Sequence, residues 1–423
     1  MRALMSVTAV LGLLTVANPG LAATPREEVE KVASVIQANY FDPDKAAVIV
    51  ADLRAAAARG AFDALTDPRD LATTLTLRLQ PLDHHFAVIP VPATPRGGPT
   101  GSPRQIIPNG DRTSNYGFHR LEMLPEGVAY IDLRGFSDID FSDPHDPARR
   151  TADAALDFVA DAEAVIIDLR DNGGGASSMV GYLTSAFTRP DADIYNTFHE
   201  RGATFSEKPG AYRKSPRLEV PVYILTSGRT GSAAEALAYT LQSAHRAKTV
   251  GEASAGGANP GEMFSAGEGL QIFVSTGSPT NPITHRNWDG AGVQPDIPVP
   301  AASALRQARI VALDSILARP GASAEARWTL ESLRAETAPP AGLKLADYVG
   351  AFGPAIVAMQ DGQLSLLRER RSPWVLVPLG GDLFTVADDP TRRVRFERDP
   401  AGAVTALEQI FANGLSARFS RGV

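Results

Sequence analysis

Apolar residues recur at helical spacing between residues 26 and 90. They do so in three segments separated by Asp-Pro or Gly turns, which are REEVEKVASVIQANYF, AAVIVADLRAAAARGAF and PRDLATTLTLRLQPL. The pattern predicts a small N-terminal helical domain over residues 23–90. The stretch that follows is rich in Pro and Gly, so residues 91–126 are predicted to form an exposed connector.

From Gly127 the pattern changes to compact apolar runs that alternate with amphipathic segments. GVAYIDL, AVIIDL and VPVYILT are predicted strands, and RTADAALDFVADA is a predicted helix between the first two. The alternation predicts an α/β domain over residues 127–300, with a ligand site at the carboxyl ends of its strands. Residues 301–339 are predicted to be a helical linker. Residues 340–423 alternate between Asp-Gly and Gly-Gly turns, which predicts a small antiparallel, barrel-like β domain.

The first 22 residues have the form of a secretory signal peptide. Arg2 supplies a positive start, residues 3–16 are apolar, and small residues end at Ala22. The apolar stretch is too short to span a bilayer. We therefore expect a mature chain that begins near Ala23 and is periplasmic or secreted.

Composition excludes several classes of partner and chemistry. The 423-residue chain carries a net charge of -7 and no basic stripe, which argues against nucleic acid as a partner. No other window is long and apolar enough for stable membrane insertion. The chain contains no cysteine, so disulfides, thiolate nucleophiles and thiolate metal sites are excluded.

The segment TSGRTGSAAEALAYTLQSA places Ser232 where a helix follows the predicted strand VPVYILT. At a helix start, unpaired backbone N–H groups and the helix dipole favour negative charge. Two interpretations stay open from these residues alone. Ser232 and Glu235 form an ordinary capping box, or Ser232 is a nucleophile.

A second cluster, IDLRDNGGG over residues 167–175, ends a strand in three glycines before a helix. Consecutive glycines expose N–H groups to an anion, as an oxyanion hole requires, although a structural tight turn has the same composition. No Gly-Lys-Ser/Thr follows, so a nucleotide phosphate site is not predicted. Asp168 and Arg170 are predicted to form a buried ion pair that shapes this loop.

The remaining clusters contain a candidate base and a candidate acid. A serine hydroxyl needs a base, and His84 and His85 are an adjacent pair. A surface pair or an adventitious zinc site are the alternatives, but neighbouring side chains on an extended chain point to opposite faces. We therefore predict no metal site and no cofactor. Asp289, between Trp288 and a glycine, is a candidate to orient the base.

Together these clusters resemble the tail-specific, or C-terminal processing, serine peptidases. Within that family they resemble the branch named after interphotoreceptor retinoid-binding protein, which is related to the tricorn protease core. The resemblance covers roughly residues 26–300. The motifs that carry it are Asp83-x-His85-Phe86, Asp168-Leu169-Arg170-x-Asn172-x-Gly174-Gly175, Thr226-Ser227 with Ser232-Ala233-Ala234-Glu235, Val250-Gly251-Glu252 with Gly256-Gly257-Ala258-Asn259-Pro260, and Asn287-Trp288-Asp289-Gly290-x-Gly292-Val293-x-Pro295-Asp296.

The resemblance implies a crotonase/ClpP-like βαβ peptidase domain and a role for each site residue. Ser232 would be the nucleophile, and the N–H groups of Ala233 and Gly174 would hold the oxyanion. Members with a Ser–Lys dyad carry a lysine in the loop where this chain has Ala255-Gly256-Gly257-Ala258-Asn259. The tricorn-like members use histidine, which matches His85, and an acid, which matches Asp289.

Two features set the chain apart from the Ser–Lys members. Those members usually insert a PDZ domain, and residues 91–116 are too short for one. Residues 340–423 resemble the lipocalin-like domains of some secreted hydrolases. We therefore expect an exported serine-type endopeptidase acting on peptides or unfolded protein segments, with a homo-oligomer left open. The alternative is an inactive peptidase fold that binds an apolar ligand or peptide.

Overall fold

The computed structural model describes residues 23–91, 112–267, 269–337, 340, 342–387 and 389–422. The predicted signal peptide lies outside the described residues, and so does most of the predicted connector. The helices are α1 (Pro25–Asn39), α2 (Pro43–Ala58), α3 (Pro68–Leu79), α4 (Pro147–Phe158), α5 (Ser177–Ser185), α6 (Ala233–Ser243), α7 (Ala304–Leu317) and α8 (Ala324–Thr337). The strands are β1 (Ala87–Pro90), β2 (Phe118–Met123), β3 (Val128–Leu133), β4 (Ala164–Asp168), β5 (Thr197–Glu200), β6 (Ala203–Ser206), β7 (Val222–Thr226), β8 (Ala247–Gly251), β9 (Gly261–Ser265), β10 (Leu270–Ser275), β11 (Gly277–Thr280), β12 (Ile297–Pro298), β13 (Gly350–Phe352), β14 (Ala355–Gln360), β15 (Gln363–Arg368), β16 (Trp374–Gly380), β17 (Leu383–Val386), β18 (Asp389–Arg398), β19 (Val404–Phe411) and β20 (Ser416–Ser420).

These elements form two compact units. Of the described residues, those before Arg104 and those within Gly261–Ser275 form the N-terminal unit, and those within Gln105–Pro260 and Thr276–Val423 form the second unit. The hairpin of β9 and β10 belongs to the N-terminal unit because β10 pairs antiparallel with β1. The apolar pattern had placed this hairpin inside the α/β domain.

The helices α1, α2 and α3 of the N-terminal unit begin in the same way. Each has Pro at its first position and a preceding side chain, of Thr24, Asp42 or Asp67, that accepts a hydrogen bond from a backbone N–H of the first turn. Pro at this position loses no helical hydrogen bond, and the cap satisfies an otherwise unpaired donor. The apolar faces of the helices pack on the sheet of β1, β10 and β9.

The second unit is built on a six-stranded sheet of order β12-β8-β7-β4-β3-β2. Strands β3, β4, β7, β8 and β12 run parallel, and β2 pairs antiparallel with β3 at the edge. Helices α4, α5 and α6 cover one face, and α7 covers the other, with α8 packed against α7. A parallel sheet buried on both faces explains why its strands are continuous apolar runs.

Two features of this unit differ from the sequence expectation. Strand β2 lies inside the stretch predicted as a connector, because an edge strand with the mixed sequence FHRLEM has no compact apolar run. Helix α7, within the predicted linker, packs its Ala304, Ala308, Ala312 and Ile316 against the sheet. It is therefore part of the α/β layer structure.

The C-terminal segment forms an eight-stranded antiparallel sheet in sequential order from β13 to β20. An antiparallel bridge between Phe352 and Arg421 joins its two ends, so the sheet closes into a barrel-like form. Its interior is filled by apolar side chains that include Phe352, Phe384 and Phe396. Among the residues that the structure describes, no helix has the length and apolar character that a membrane span needs.

Candidate active site

Ser232 lies on a strained turn between the carboxyl end of β7 and the first residue of α6. Its backbone has φ of 51° and ψ of −121°, a conformation that costs a non-glycine residue of the order of 1–3 kcal/mol and that clusters at functional sites. Its side chain is exposed, whereas Ala233 and the residues that follow it are buried. The turn therefore presents a serine at a helix N-terminus, as the strand-turn-helix elbow of serine hydrolases does.

The glycine loop that follows β4 packs directly on this serine. A Cβ atom at Gly174 would lie 2.7 Å from the Ser232 Cβ and 3.0 Å from the Ala233 nitrogen, and the φ of Gly174 is 114°. Only glycine allows this approach without displacing the serine turn. The two predicted oxyanion donors, Gly174 and Ala233, are therefore neighbours of the predicted nucleophile.

Asn172 holds the glycine loop in place. The residue is fully buried; its Nδ2 donates to the Leu133 carbonyl at 2.9 Å and its own carbonyl accepts the Gly231 N–H at 3.0 Å. Its Oδ1 accepts the Gly174 N–H at 2.9 Å. In this conformation the Gly174 donor is engaged, so binding an oxyanion requires that this hydrogen bond be shared or broken.

Glu235 connects the serine turn to the loop of residues 254–257. The side chain is fully buried, and its Oε2 accepts the Ser232 N–H at 2.8 Å and the Gly257 N–H at 2.9 Å. Its Oε1 accepts the Ser254 hydroxyl at 2.5 Å and the Gly256 N–H at 2.6 Å. The sequence interpretation of Glu235 as a cap or scaffold residue agrees with these contacts, but the second loop gives it a wider role.

Asp289 lies in the same unit, on the loop after Trp288. Its Oδ1 accepts the Ala258 N–H at 3.2 Å and its Oδ2 accepts Asn259 Nδ2 at 3.0 Å. The next residue, Gly290, donates its N–H to the Gly256 carbonyl at 2.8 Å. The Asp289 loop is thus fastened to the loop that Glu235 holds.

His85 belongs to the N-terminal unit, where Asp83 binds it twice. Asp83 Oδ1 lies 2.8 Å from His85 Nδ1 and accepts the His85 N–H at 3.0 Å, while Oδ2 accepts the hydroxyls of Tyr40 and Ser275, both at 3.0 Å. Burial alone would raise the pKa of Asp83, but the hydrogen bonds and charge of His85, with a bond from Ser275, hold it well below its usual value. An ionised Asp83 orients the imidazole through Nδ1.

His84 and His85 occupy a turn, and their ring centroids lie 3.9 Å apart. The argument that neighbouring side chains point to opposite faces therefore does not apply here, since the backbone is not extended. Ligand atoms of Asp83, His84 and His85 lie within 4.8 Å of one another, near enough to hold a metal ion together. The carboxylate of Asp83, however, already accepts four hydrogen bonds, and metal binding would have to replace some of them.

The predicted ion pair of Asp168 and Arg170 is confirmed. Arg170 Nη2 lies 2.5 Å from Asp168 Oδ2, and Tyr130 donates its hydroxyl to the same oxygen at 2.7 Å. The hydrogen bond to Asp168 raises the pKa of Arg170, and burial followed by the same carboxylate raises that of Tyr130. This network fixes the end of β4, from which the glycine loop starts.

The contacts reveal two site residues whose roles were not predicted. Asp83 Oδ1 contacts the imidazole of His85 at Nδ1, and the sequence signal of this contact was the Asp-x-His spacing. Ser254 joins Glu235 to the Val293 N–H, which it accepts at 2.6 Å. No local pattern marks Ser254, because both partners are distant in sequence.

A serine on a strained strand-to-helix turn beside a glycine loop, on a parallel sheet, is of the kind that α/β serine hydrolases use. Residues 127–299, which include this turn and this loop, match the family model described as Peptidase family S41. This segment of the chain is therefore similar to peptidase family S41.

Curated relatives and solved structures resemble parts of the chain. It is 27% identical over 183 residues to the chloroplastic carboxyl-terminal-processing peptidase 1 of Arabidopsis thaliana, covering 42% of this chain and 35% of the relative. It is 30% identical over 135 residues to the carboxyl-terminal-processing protease of Synechocystis, and this match covers 32% of this chain and 30% of the relative. The chain thus spans about a third of the length of these relatives. A photosystem II D1 C-terminal processing protease structure is 19% identical, with a TM-score of 0.34 and coverage of 41% and 42%.

Proposed function

We propose that the chain is an exported serine-type endopeptidase that cleaves peptides or unfolded protein segments. The observation that carries the proposal is the exposed, strained Ser232 at the start of α6, in contact distance of the Gly174 loop. Strain at a polar, exposed residue is retained only where the surroundings enforce it, and here Glu235 and the glycine loop do so. The match of residues 127–299 to the model of peptidase family S41 supports the same conclusion.

In the proposed reaction the Ser232 oxygen attacks a peptide carbonyl while His85 takes the hydroxyl proton. The carbonyl oxygen gains negative charge, which the N–H groups of Ala233 and Gly174 would stabilise. His85 then gives the proton to the leaving amine as the C–N bond breaks. A water molecule next attacks the acyl carbon while His85 takes its proton, the bond to the Ser232 oxygen breaks, and His85 returns the proton to that oxygen. The partnership of His85 with Ser232 rests on the sequence motifs and is tested below by variants.

The proposal also has to choose between Asp83 and Asp289 as the acid that orients His85. The 2.8 Å contact of Asp83 with Nδ1 supports Asp83, because one imidazole nitrogen must be held while the other exchanges the proton. The sequence motif supports Asp289, whose known contacts anchor residues 258 and 259. We propose Asp83 as the orienting acid and Asp289 as a residue that shapes the loop beside the nucleophile.

Three finer points belong to the same proposal. The crossover connections of the parallel sheet support a crotonase/ClpP-like core. The signal-peptide pattern of residues 1–22 supports export. No feature of the described residues favours one oligomeric state.

Labelling with a fluorophosphonate probe tests the nucleophile. We expect the probe to modify Ser232 in the wild type and not to modify Ser232→Ala, since the probe reacts only with an activated hydroxyl. Ser243→Ala, at the other end of α6, is the matched control and should label like the wild type. Mass spectrometry of the labelled peptide identifies the site. Labelling of Ser232→Ala would place the nucleophile elsewhere, and no labelling of the wild type would favour a binding protein on an inactive fold.

A further inference from the structure

One end of the C-terminal barrel carries polar and charged side chains that face inward. Together with two aromatic side chains they form a set that we call the barrel mouth: Arg368, Trp374, Arg392, Gln409 and Phe411. Directly paired residues of antiparallel strands share a face of the sheet. Trp374 pairs with Leu366, and Gln409 pairs with Val394, where Leu366 and Val394 are core residues.

The remaining members follow from the same register. Arg368 pairs with the core residue Ala355, and Arg392 pairs with Phe411, two positions from Val394 and Gln409 on their strands. Arg368 ends β15 and Trp374 begins β16, so both flank one hairpin loop. Because the strands alternate in direction, the end of β19 at Phe411 lies at this same end of the barrel.

The side chains of the barrel mouth contact one another. The guanidinium carbons of Arg368 and Arg392 lie 4.1 and 4.8 Å from the ring centroid of Trp374. Arg368 Nη2 donates to Gln409 Oε1 at 2.9 Å, across the barrel from β15 to β19. Stacking on an aromatic ring fixes the plane of a guanidinium and leaves its N–H edge available for an anion.

Gln409 supplies an independent sign that a ligand belongs here. The residue is 3% exposed, and its Nε2 is buried without a hydrogen-bond partner. An unpaired buried amide donor costs about 1–3 kcal/mol, so proteins rarely keep one without a use. Its Oε1 accepts a hydrogen bond from Arg368, which fixes the orientation of the amide group.

The charge at the barrel mouth is positive. Arg392 has an ion pair with Asp389 at 2.6 Å, whereas Arg368 forms none with a carboxylate of the described residues. Burial, and then the like charges of Arg371 and Arg392, lower the pKa of Arg368. A bound anion would relieve this repulsion, and a single negative charge matches the excess better than a phosphate dianion.

We propose that the barrel mouth binds a terminal carboxylate, which accepts hydrogen bonds from Gln409 Nε2 and from the guanidinium edges of Arg368 and Arg392. The barrel interior is filled with aromatic side chains, so the chain that bears the carboxylate extends outward into solvent. The same chemistry is presented by the free C-terminus of a peptide and by an acyl-chain carboxylate. The proposal does not depend on the peptidase assignment, because it concerns binding alone.

Binding of defined probes tests the proposal in the full-length Ser232→Ala protein, which keeps a peptide probe intact if the chain is a peptidase. The probes are a short unstructured peptide as its free acid, the same peptide as its C-terminal amide, decanoate and decanamide. Affinities are measured by calorimetry. We expect a free acid to bind roughly tenfold or more tightly than its amide, because a charge-assisted hydrogen bond is lost in the amide.

Two variants and a matched control locate the site. Arg368→Gln removes the charge, and Gln409→Glu places a carboxylate beside Arg368 where the ligand would bind, so each should weaken binding roughly tenfold or more. Gln409→Glu should fold well because Arg368 becomes its ion-pair partner, which guards against loss by misfolding. Arg395→Gln changes an exposed arginine on the same strand as Arg392 and should bind like the parent.

The outcomes separate the two sources of carboxylate. Tight binding of the peptide acid alone identifies a peptide C-terminus, and tight binding of decanoate identifies an acyl chain; either supports the proposal if both variants abolish it. Equal affinity for acid and amide, or unchanged affinity in Arg368→Gln and Gln409→Glu, would overturn it. Failure of fluorophosphonate labelling would leave this result unaffected.

Discussion

Replacing Glu235 with glutamine tests whether this buried carboxylate positions the nucleophile. Its two oxygens accept hydrogen bonds from the N–H groups of Ser232, Gly256 and Gly257 and from the Ser254 hydroxyl. Glutamine keeps the shape of the side chain but replaces one acceptor with an amide group that only donates. The variant therefore isolates the hydrogen bonds from the packing.

The magnitude follows from the four donors. In the least damaging orientation the new NH2 group takes the place of Oε1, which faces Ser254 and Gly256. The Ser254 hydroxyl can turn to accept a hydrogen bond from this NH2 group, but the Gly256 N–H then faces another donor and loses its bond. The lost bond to a charged group is worth about 1.5–3 kcal/mol, and the change from a charged to a neutral acceptor weakens the others by about 1 kcal/mol each. Relief of the desolvation of a buried charge offsets several kcal/mol of this loss. We expect a net loss of about 2 kcal/mol in the free energy that holds the Ser232 turn.

That loss predicts a slower reaction at Ser232. A change of about 2 kcal/mol lowers the equilibrium ratio of the strained Ser232 conformer to its relaxed alternatives roughly thirtyfold, since each 1.4 kcal/mol is a factor of ten. The assay is the rate of fluorophosphonate labelling, measured well below the melting temperature of every variant. Urea unfolding gives the change in global stability separately.

Two controls distinguish positioning from general destabilisation. Glu207→Gln alters another buried glutamate of the same unit, one hydrogen-bonded to Asn196, and should label at the wild-type rate. Glu235→Asp retains the charge and should recover part of the labelling rate. If Glu235→Gln is folded and labels within about threefold of the wild type, the reasoning about Glu235 is refuted.

Three further predictions concern the base, its acid and a buried carboxyl. His85→Ala should lower turnover of a peptide substrate about a thousandfold or more and His84→Ala much less, and equal losses would contradict the assignment of the base. Asp83→Asn should lower turnover more than Asp289→Asn if the bond to His85 Nδ1 orients the ring, and the reverse order would give that role to Asp289. Burial raises the pKa of Glu207 to about 7. The proton on Glu207 therefore stabilises the folded state at pH values below the ordinary glutamate pKa, and this stabilisation is lost as the pH rises through 7. Glu207→Gln should therefore raise the free energy of unfolding in urea by up to about 3 kcal/mol near pH 8 but little near pH 4.5, and an equal difference at both would contradict the shift.

Local patterns determined much of the fold. The Asp-Pro steps at residues 42 and 67 begin helices because the aspartate caps the N–H groups and proline needs no partner there. The continuous apolar runs of β3, β4 and β7 predict a buried parallel sheet because both faces of such a sheet are covered. These signals depend on neighbouring residues alone.

Some residues of the candidate site could also be predicted from local sequence patterns. Ser232 at the start of a helix and Gly174 in a glycine run were identifiable because strand, turn and helix are contiguous there. A Cβ atom built on Gly174 would lie 2.7 Å from the Ser232 Cβ, and this proximity depends on the parallel pairing of β4 with β7. The sequence predicted the members, and the sheet brought them together.

Tertiary structure alone decided the rest, because these contacts join residues far apart in the chain. The hairpin Gly261–Ser275 joins the N-terminal unit through strand pairing with β1, and its Ser275 hydroxyl binds Asp83. The sequence predicts Glu235 as a helix cap, and only the folded structure shows that the loop of residues 254–257 donates hydrogen bonds to it. The inward register of Arg368 and Gln409 depends on which residues pair across the barrel, since a shift of one residue would turn both side chains to solvent.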